Sequence, residues 1–294
     1  MEFNGNRYIG DIVLKRRPEG GSYLNDIPAV KYLMEAGHIE LRSPVTFFIG
    51  ENGTGKSTLL EAIAVAMGFN PEGGTINFNF STRNTHSELC DCISLTRYGY
   101  PKDGFFLRAE SFYNVASNID ELDEAGGIGP QLKDSYGGKS LHAQSHGESF
   151  ISLVQNRFGS RGLYLLDEPE AALSPMRLMS LLVAMDGLVK KASQFIICTH
   201  SPILMAYPGA EIYQLSDEGI ERVDYKNTEH YIVTKQFLDK DSQVCGYEYV
   251  HLGKMMEAIK NGMDANEAVK KFTGSYGRTT AEQGVVKAID PRKE

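Results

Sequence analysis

The stretch "GENGTGKST", residues 50–58, decides the fold. The apolar run Val45–Ile49 precedes it, which predicts a buried strand. The residues that follow it recur at helical spacing before Gly68, a predicted C-cap: Leu59, Leu60, Ile63, Ala64 and Met67. Strand, glycine-rich loop and helix therefore follow one another, which is the context that a phosphate-binding loop requires.

The loop fits the pattern G-x-x-x-x-G-K-[ST], with a further glycine at Gly53. Glycines let successive backbone N–H groups face phosphates, and the positive end of the helix dipole reinforces them. Lys56 would neutralise the β and γ phosphates, and the Ser57 hydroxyl would bind Mg²⁺. The alternative is a glycine-rich turn, but a turn does not require Lys-Ser at this offset. The predicted nucleotide-binding residues are Gly50, Glu51, Asn52, Gly53, Thr54, Gly55, Lys56, Ser57 and Thr58.

Composition limits the class of protein. At 294 residues and 41% hydrophobic composition, the chain can form one large domain or a domain with an appendage. The net charge of −8 argues against a globally basic, nucleic-acid-binding surface but allows a local basic patch. The sequence shows no N-terminal signal pattern and no apolar run of about 18 residues, so we expect a soluble, cytoplasmic protein without membrane insertion.

The four cysteines are too few and too scattered for a disulfide scaffold, which suits a reducing cytoplasm. Three residues in "THSELCDC", His86, Cys90 and Cys92, could form a metal site. No matching second pair follows them, so this alternative has weak support.

The stretch "GLYLLDEPEAALSP", residues 162–175, predicts a second buried strand that ends in paired acids. In a protein with a phosphate-binding loop, the first acid, Asp167, belongs near Mg²⁺. Glu168 is then free to orient or deprotonate the attacking water. The stretch also reads as a polar strand end before a helix that Ser174 caps and Pro175 begins. Both interpretations can hold, because the acids precede the cap.

A third strand, "QFIIC", leads into "THSP" at residues 199–202. His200 follows this strand at its carboxyl end, where open α/β sheets form their ligand crevice. There it could contact a γ-phosphate. A histidine is often structural when it stands alone, but the loop and the paired acids favour the catalytic interpretation. Ser201 and Pro202 predict the N-cap and first turn of another helix.

With "QSHGESF" at residues 144–150, the order of motifs resembles the ABC-type ATPases. This resemblance implies an α/β fold: a P-loop NTPase head with a central, mostly parallel sheet, a helical signature subdomain and here a small C-terminal helical appendage. It also implies that Ser145, Gly147 and Glu148 bind the nucleotide held by the P-loop of a second subunit. A hydroxyl and N–H groups at a helix start suit a phosphate.

Three positions depart from the family pattern. His146 replaces the usual glycine of the signature, and Ser174 stands where aspartate is common. The glutamine expected after the P-loop is missing, because "GFFLRAESF" at residues 104–112 offers Glu110 instead and no glutamine occurs before Gln131. Since this glutamine usually links nucleotide to a membrane subunit, its absence weakens the alternative of a transporter's nucleotide-binding subunit. The signature in turn disfavours a phosphotransferase.

The motifs look most like the soluble SMC- and RecF-like branch and its small predicted ATP-binding proteins. Large SMC members insert a long coiled coil between P-loop and signature, whereas about ninety residues without sustained heptads separate Lys56 from Ser145 here. The sequence therefore predicts a compact head without an arm.

The chain is predicted to divide into an ATPase domain, residues 1–238, and a tail, residues 239–294. A hairpin-like turn at Asp217-Glu218-Gly219 lies near the end of the first. The tail contains two apolar-periodic segments, around 255–259 and 265–272. They could form a helix-turn-helix that contacts DNA or a pair of helices that docks on a partner.

These observations predict an ATPase with ATP and Mg²⁺ as cofactors. By the resemblance, the chain would form a homodimer on ATP binding and act as a clamp or switch on nucleic acid or an effector protein. DNA repair or phage defence would be settings for such an activity. The sequence does not identify the substrate.

Overall fold

The structure is a computed structural model and describes residues 7–76, 87–108 and 146–239. The chain divides into two compact units, Met1–Tyr225 and Lys226–Glu294. The predicted boundary after residue 238 stays a prediction, because the tail beyond residue 239 lies outside the described residues. The proposed helix-turn-helix or helix pair lies there too.

The first unit contains two sheets and the helices that cover them. Its strands are β1 (Ile9–Leu14), β2 (His38–Glu40), β3 (Val45–Gly50), β4 (Ile93–Arg97), β5 (Asp103–Arg108), β6 (Gly162–Asp167), β7 (Gln194–Cys198), β8 (Glu211–Ser216) and β9 (Gly219–Arg222). Its helices are α1 (Pro28–Ala36), α2 (Lys56–Ala66), α3 (Leu89–Cys92), α4 (His146–Arg157), α5 (Pro175–Val189) and α6 (Pro202–Met205). Short 3₁₀ helices cover Tyr23–Asp26, Pro169–Ala172 and Tyr225–Asn227. The described part of the second unit contains α7 (Glu229–Asp239).

The larger sheet has the strand order β5-β6-β7-β3-β8-β9. Its strands pair in parallel, except that β9 pairs antiparallel with β8 through the predicted turn. A smaller antiparallel sheet has the order β2-β1-β4. The prediction of an α/β fold with a central, mostly parallel sheet is confirmed.

The side chains of β3 alternate between two cores. Phe48 belongs to the core formed by α2 and the small sheet, whereas Phe47 and Ile49 face the core formed by α4 and α5. Because both faces of the central strand are buried, the whole run Val45–Gly50 is apolar or small except for Thr46. The P-loop therefore extends from a strand that is fixed on both sides.

The helix after the P-loop ends as the sequence predicts. Gly68 has a left-handed φ of 90°. Its N–H donates to Val65 O, and the N–H of Phe69 donates to Ala64 O. This double closure is a Schellman motif, which requires a residue that tolerates positive φ. At α5, Ser174 occupies the predicted N-cap position, but its side chain makes no capping hydrogen bond. Ser201 caps α6 by accepting from the N–H of Leu204.

A buried amide joins the small sheet to the large one. The Gln194 side chain accepts hydrogen bonds from Tyr8 N at 2.7 Å and Ile9 N at 2.9 Å, and donates to Ile9 O at 3.0 Å. Gln194 is fully buried at the start of β7. These three bonds hold β1 beside the strand that carries His200 at its other end.

A partly buried carboxylate, that of Asp103, fixes the carboxyl end of α4. Burial alone would raise the pKa of Asp103, but Arg157 at 2.7 Å, the Tyr164 hydroxyl at 2.8 Å and the Gly159 N–H at 2.7 Å outweigh it and hold that pKa below its usual range. Because Asp103 begins β5 and Arg157 ends α4, this network anchors the helix that carries the signature residues to the central sheet.

No helix in the described ranges is long and apolar enough to cross a membrane. Those ranges also hold no group of three or more His, Cys, Asp or Glu side chains suited to a metal ion. His86, one of the three residues of the alternative metal site, lies outside them, while Cys90 and Cys92 are free thiols.

The three hydrogen bonds of the Gln194 side chain lead to a prediction about stability. Gln194→Leu keeps the side-chain size but leaves two N–H groups and one carbonyl buried without partners, so the free energy of unfolding should fall by roughly 3 kcal/mol or more. Urea denaturation followed by circular dichroism measures this. The matched control is Gln155→Leu on the exposed side of α4, which should change stability by no more than about 0.5 kcal/mol. Equal stability of the two variants would contradict the structural role of Gln194.

Candidate functional site

The P-loop lies between the carboxyl end of β3 and the start of α2, and its glycines meet two different requirements. Gly50, Gly53 and Gly55 all have positive φ, at 140°, 87° and 96°. A Cβ on Gly50 would lie 2.2 Å from the carbonyl oxygen of Leu215, and one on Gly55 would lie 2.4 Å from the Ile27 side chain. Gly50 and Gly55 are therefore needed for close packing, whereas Gly53 faces open space and is needed for conformation alone.

Lys56 curls back across the loop. Its Nζ donates to the carbonyl oxygens of Gly50 at 2.8 Å and Glu51 at 2.9 Å. Burial lowers the pKa of Lys56, and the nearby carboxylates of Asp167 and Glu168 oppose that shift only in part. An anion held in the loop would favour the charged ammonium further, so the geometry suits a phosphate.

Ser57 and Asp167 meet although 110 residues separate them in the chain. The Ser57 hydroxyl donates to Asp167 Oδ1 at 3.0 Å. Asp167 is only 7% exposed at the end of β6. A hydroxyl and a carboxylate are hard oxygen donors, and Mg²⁺ commonly takes one or two such protein ligands beside nucleotide phosphates. The donor set therefore fits the predicted metal residues.

Glu168 and His200 face each other from neighbouring strands. His200 Nε2 lies 3.6 Å from Glu168 Oε1, and 41% of the Glu168 side chain is exposed. Glu168 has a φ of 49°, an uncommon conformation for a residue that is not glycine. Its N–H donates to Cys198 O, which ties the turn to β7. The carboxylate is thus held in a strained but fixed backbone, in reach of water.

Sequence reasoning missed Glu170 as a site residue. Its Oε1 accepts a 2.5 Å hydrogen bond from the backbone N–H of His200, and its Oε2 is buried with no hydrogen-bond partner among the described residues. Glu170 therefore fixes the backbone that carries the imidazole. The signal was present as the third acid of "DEPEA", but only the 3₁₀ turn Pro169–Ala172 brings that acid back to β7.

The signature residues lie in a different neighbourhood. Gly147 and Glu148 occupy the first turn of α4, while Ser145 lies outside the described residues. A Cβ on Gly147 would be 2.8 Å from Ala172 O and 2.3 Å from a guanidinium nitrogen of Arg177. Arg177 also pairs with Glu148 at 3.4 Å. The described contacts thus place the start of α4 against the start of α5.

Comparison with protein-family models matches residues 29–104 to a family described as "AAA domain". This match covers about a quarter of the chain and includes the whole P-loop. Comparison with the curated proteins found no match.

Solved structures of SMC heads and of an ATP-binding cassette are similar to this chain. An SMC head bound to the C-winged helix domain of ScpA has 13% sequence identity and a TM-score of 0.40, covering 74% of this chain and 97% of its own. The SMC head domain from Thermotoga maritima has 15% identity and a TM-score of 0.38, with coverages of 74% and 100%. An ATP-binding cassette of an ABC transporter has 17% identity and a TM-score of 0.44, with coverages of 80% and 98%. The predicted resemblance to ABC-type and SMC-type ATPases is confirmed.

Glu170 provides a test of the candidate site. Glu170→Ala removes the acceptor of the His200 N–H, so ATP turnover should fall on the order of tenfold, since a hydrogen bond to a charged group is worth about 1.5–3 kcal/mol. Glu170→Gln keeps an acceptor oxygen and should retain most of the turnover. Steady-state phosphate release together with binding of a labelled ATP analogue separates catalysis from affinity. Wild-type turnover in the alanine variant would contradict the positioning role.

Proposed function

We propose that the chain binds ATP with Mg²⁺, hydrolyses it, and closes as an ATP-bound homodimer. The observation that carries this proposal is the convergence of four side chains on the P-loop edge of one sheet. Ser57 meets Asp167 there, and Glu168 meets His200. The motifs that bring them together are spread over more than half of the chain, and a glycine-rich turn alone would not require their convergence.

The side chains divide the work of hydrolysis. Lys56 and the loop N–H groups would bind the β and γ phosphates, and Ser57 and Asp167 would hold Mg²⁺. The metal would neutralise charge on the phosphate oxygens. Glu168 orients the attacking water and accepts its proton, for which its exposed carboxylate is suited. His200 contacts the γ-phosphate, and Glu170 keeps the His200 backbone in place.

The dimer follows from the position of the signature. Gly147 and Glu148 stand at the amino end of α4, where the backbone N–H groups and the helix dipole favour an anion. Their described contacts are with Ala172 and Arg177. We infer that this helix start, with Ser145, binds the γ-phosphate held by the P-loop of a second copy.

The output of this cycle would be a clamp or switch that acts on nucleic acid or on an associated effector protein in the cytoplasm. DNA repair and phage defence are settings that suit such an activity. The tail, residues 239–294, would contact DNA or the partner. A transporter subunit is the alternative, which is disfavoured because residues 104–112 offer Glu110 in place of the expected glutamine.

Substitution of Lys56 should affect ATP binding, whereas substitution of Glu168 should affect ATP hydrolysis. Lys56→Ala should abolish ATP binding, because it removes the buried ammonium of the loop. Glu168→Gln should bind ATP but hydrolyse it on the order of 10² to 10⁴ times more slowly. Labelled ATP binding and phosphate release measure the two steps. If Glu168→Gln hydrolysed ATP at the wild-type rate, Glu168 would not be the general base, and His200 would be the next candidate for that role.

Dimerisation gives an independent test. With ATP, Glu168→Gln should elute as a dimer in size-exclusion chromatography with light scattering, and without nucleotide it should return to monomer. Adding Ser145→Arg should block the shift, because a large side chain would occupy the phosphate position. The matched control Ser180→Arg, on the exposed side of α5, should leave the ATP-dependent shift from monomer to dimer unchanged. A monomer at saturating ATP and high protein concentration would refute the ATP-bound dimer.

A further inference from the structure

The edge of the central sheet opposite the P-loop carries a row of cations. The P-loop follows the carboxyl end of β3, and β5, β6 and β7 run parallel to β3. Residues just before these three strands therefore lie at the other edge, roughly 20 Å away for strands of this length. Lys102, Arg161 and Lys191 occupy that edge and are all exposed.

Backbone hydrogen bonds hold the three cations side by side. Lys102 N donates to Arg161 O at 2.8 Å, and Arg161 N donates to Lys191 O at 3.0 Å. Within the described ranges, no carboxylate forms an ion pair with any of the three. Asp103, which follows Lys102 in the sequence, already pairs with Arg157. Their positive charges thus face solvent in a chain whose net charge is −8.

Arg161 is held in a conformation that favours glycine. Its φ is 57°, in the left-handed region, which is costly for a residue with a Cβ. The described residues show no hydrogen bond or ion pair from its guanidinium that would offset this cost. Glycine would remove the strain, so the protein with Arg161 has a lower free energy of unfolding than it would have with glycine at this position. With no partner among the described residues, the guanidinium is available to a ligand outside the chain.

An exposed aromatic ring belongs to the same loop as Lys102. Tyr100 is 80% exposed and comes two residues before Lys102 on the loop between β4 and β5. The nearby Tyr98 differs, because the Arg7 guanidinium lies 5.1 Å from its ring centre and the ring packs against Gly10. Tyr100 is therefore the ring in this loop that can stack on a planar group.

We propose that this basic edge, made of Tyr100, Lys102, Arg161 and Lys191, binds single-stranded nucleic acid. The cations contact successive phosphates, and Tyr100 stacks on an unpaired base. A duplex would use the cations but would hide its base faces from the ring. The inference deepens the proposed function by naming the partner class and rests on it for the biological role, but binding at this edge does not require ATP.

The salt dependence of oligothymidylate binding and a set of substitutions test the basic edge. Fluorescence anisotropy with a labelled oligothymidylate should show binding that weakens with added salt, with a log–log slope of about −2 for three phosphate contacts. The double variant Lys102→Ala with Lys191→Ala should reduce that slope to about −0.7. Tyr100→Ala should weaken binding on the order of tenfold and leave the slope unchanged. The control Lys31→Ala, an exposed cation of α1, should bind as the wild type does.

Arg161→Gly separates a ligand role from a structural one. It should weaken oligothymidylate binding several-fold and at the same time raise Tm by a few degrees, since it removes left-handed strain. A structural arginine would give a lower Tm instead. Ala192→Gly offers the matched control, because Ala192 has a φ of 63° in the adjacent turn. It should raise Tm without changing binding.

Three results would overturn this inference. The first is that the wild type does not bind oligothymidylate, and the second is that Arg161→Gly binds it as the wild type does. The third is that the wild type binds oligothymidylate, duplex DNA and polyglutamate with equal affinity and that Tyr100→Ala has no effect. Labelled ATP binding, measured on the same proteins, separates the two proposals. Intact ATP binding without oligothymidylate binding refutes the basic edge alone. Oligothymidylate binding at the edge without ATP binding refutes the proposed ATPase function and leaves the edge standing.

Discussion

The register of the parallel strands is the constraint on which the rest of the site depends. Phe48 of β3 lies opposite Cys198 of β7, and Cys198 lies opposite Asp167 of β6. One row across the sheet thus places the P-loop, the acids and His200 at a common edge. A slip of one residue in any of these pairs would turn the side chains of that strand to the opposite face. The two buried cores, one on each face of β3, prevent such a slip.

This register also explains which parts of the molecule could be predicted. Asp167, Glu168 and His200 directly follow apolar runs, so knowledge that the strands are parallel is enough to group them with Lys56 and Ser57. The role of Glu170 could not be predicted in this way, because its contact with His200 depends on the 3₁₀ turn that follows β6. Sequence spacing does not specify the direction in which such a short turn returns its side chains.

Contacts between distant segments were the hardest to predict. The Gln194 side chain bonds to residues 185 and 186 positions away, and nothing in "QFIIC" marks its first residue as a link to β1. The row of Lys102, Arg161 and Lys191 is similar, because each cation looks like an ordinary loop residue in the sequence. Only the parallel alignment of β5, β6 and β7 brings the three together. Ser174 shows the opposite case, since the predicted cap position is correct but the hydrogen bond is not formed.

The strand order has a consequence for synthesis on the ribosome. β3 emerges early, but its partners are β7 and β8, which end at Cys198 and Ser216. The nascent chain must therefore carry an unpaired apolar strand, and a β1 without its Gln194 partner, until most of the first unit has been made. Such late pairing slows folding and exposes strand edges to other chains. We therefore expect the growing chain to depend on chaperones until β8 has left the exit tunnel, whatever the stability of the finished fold.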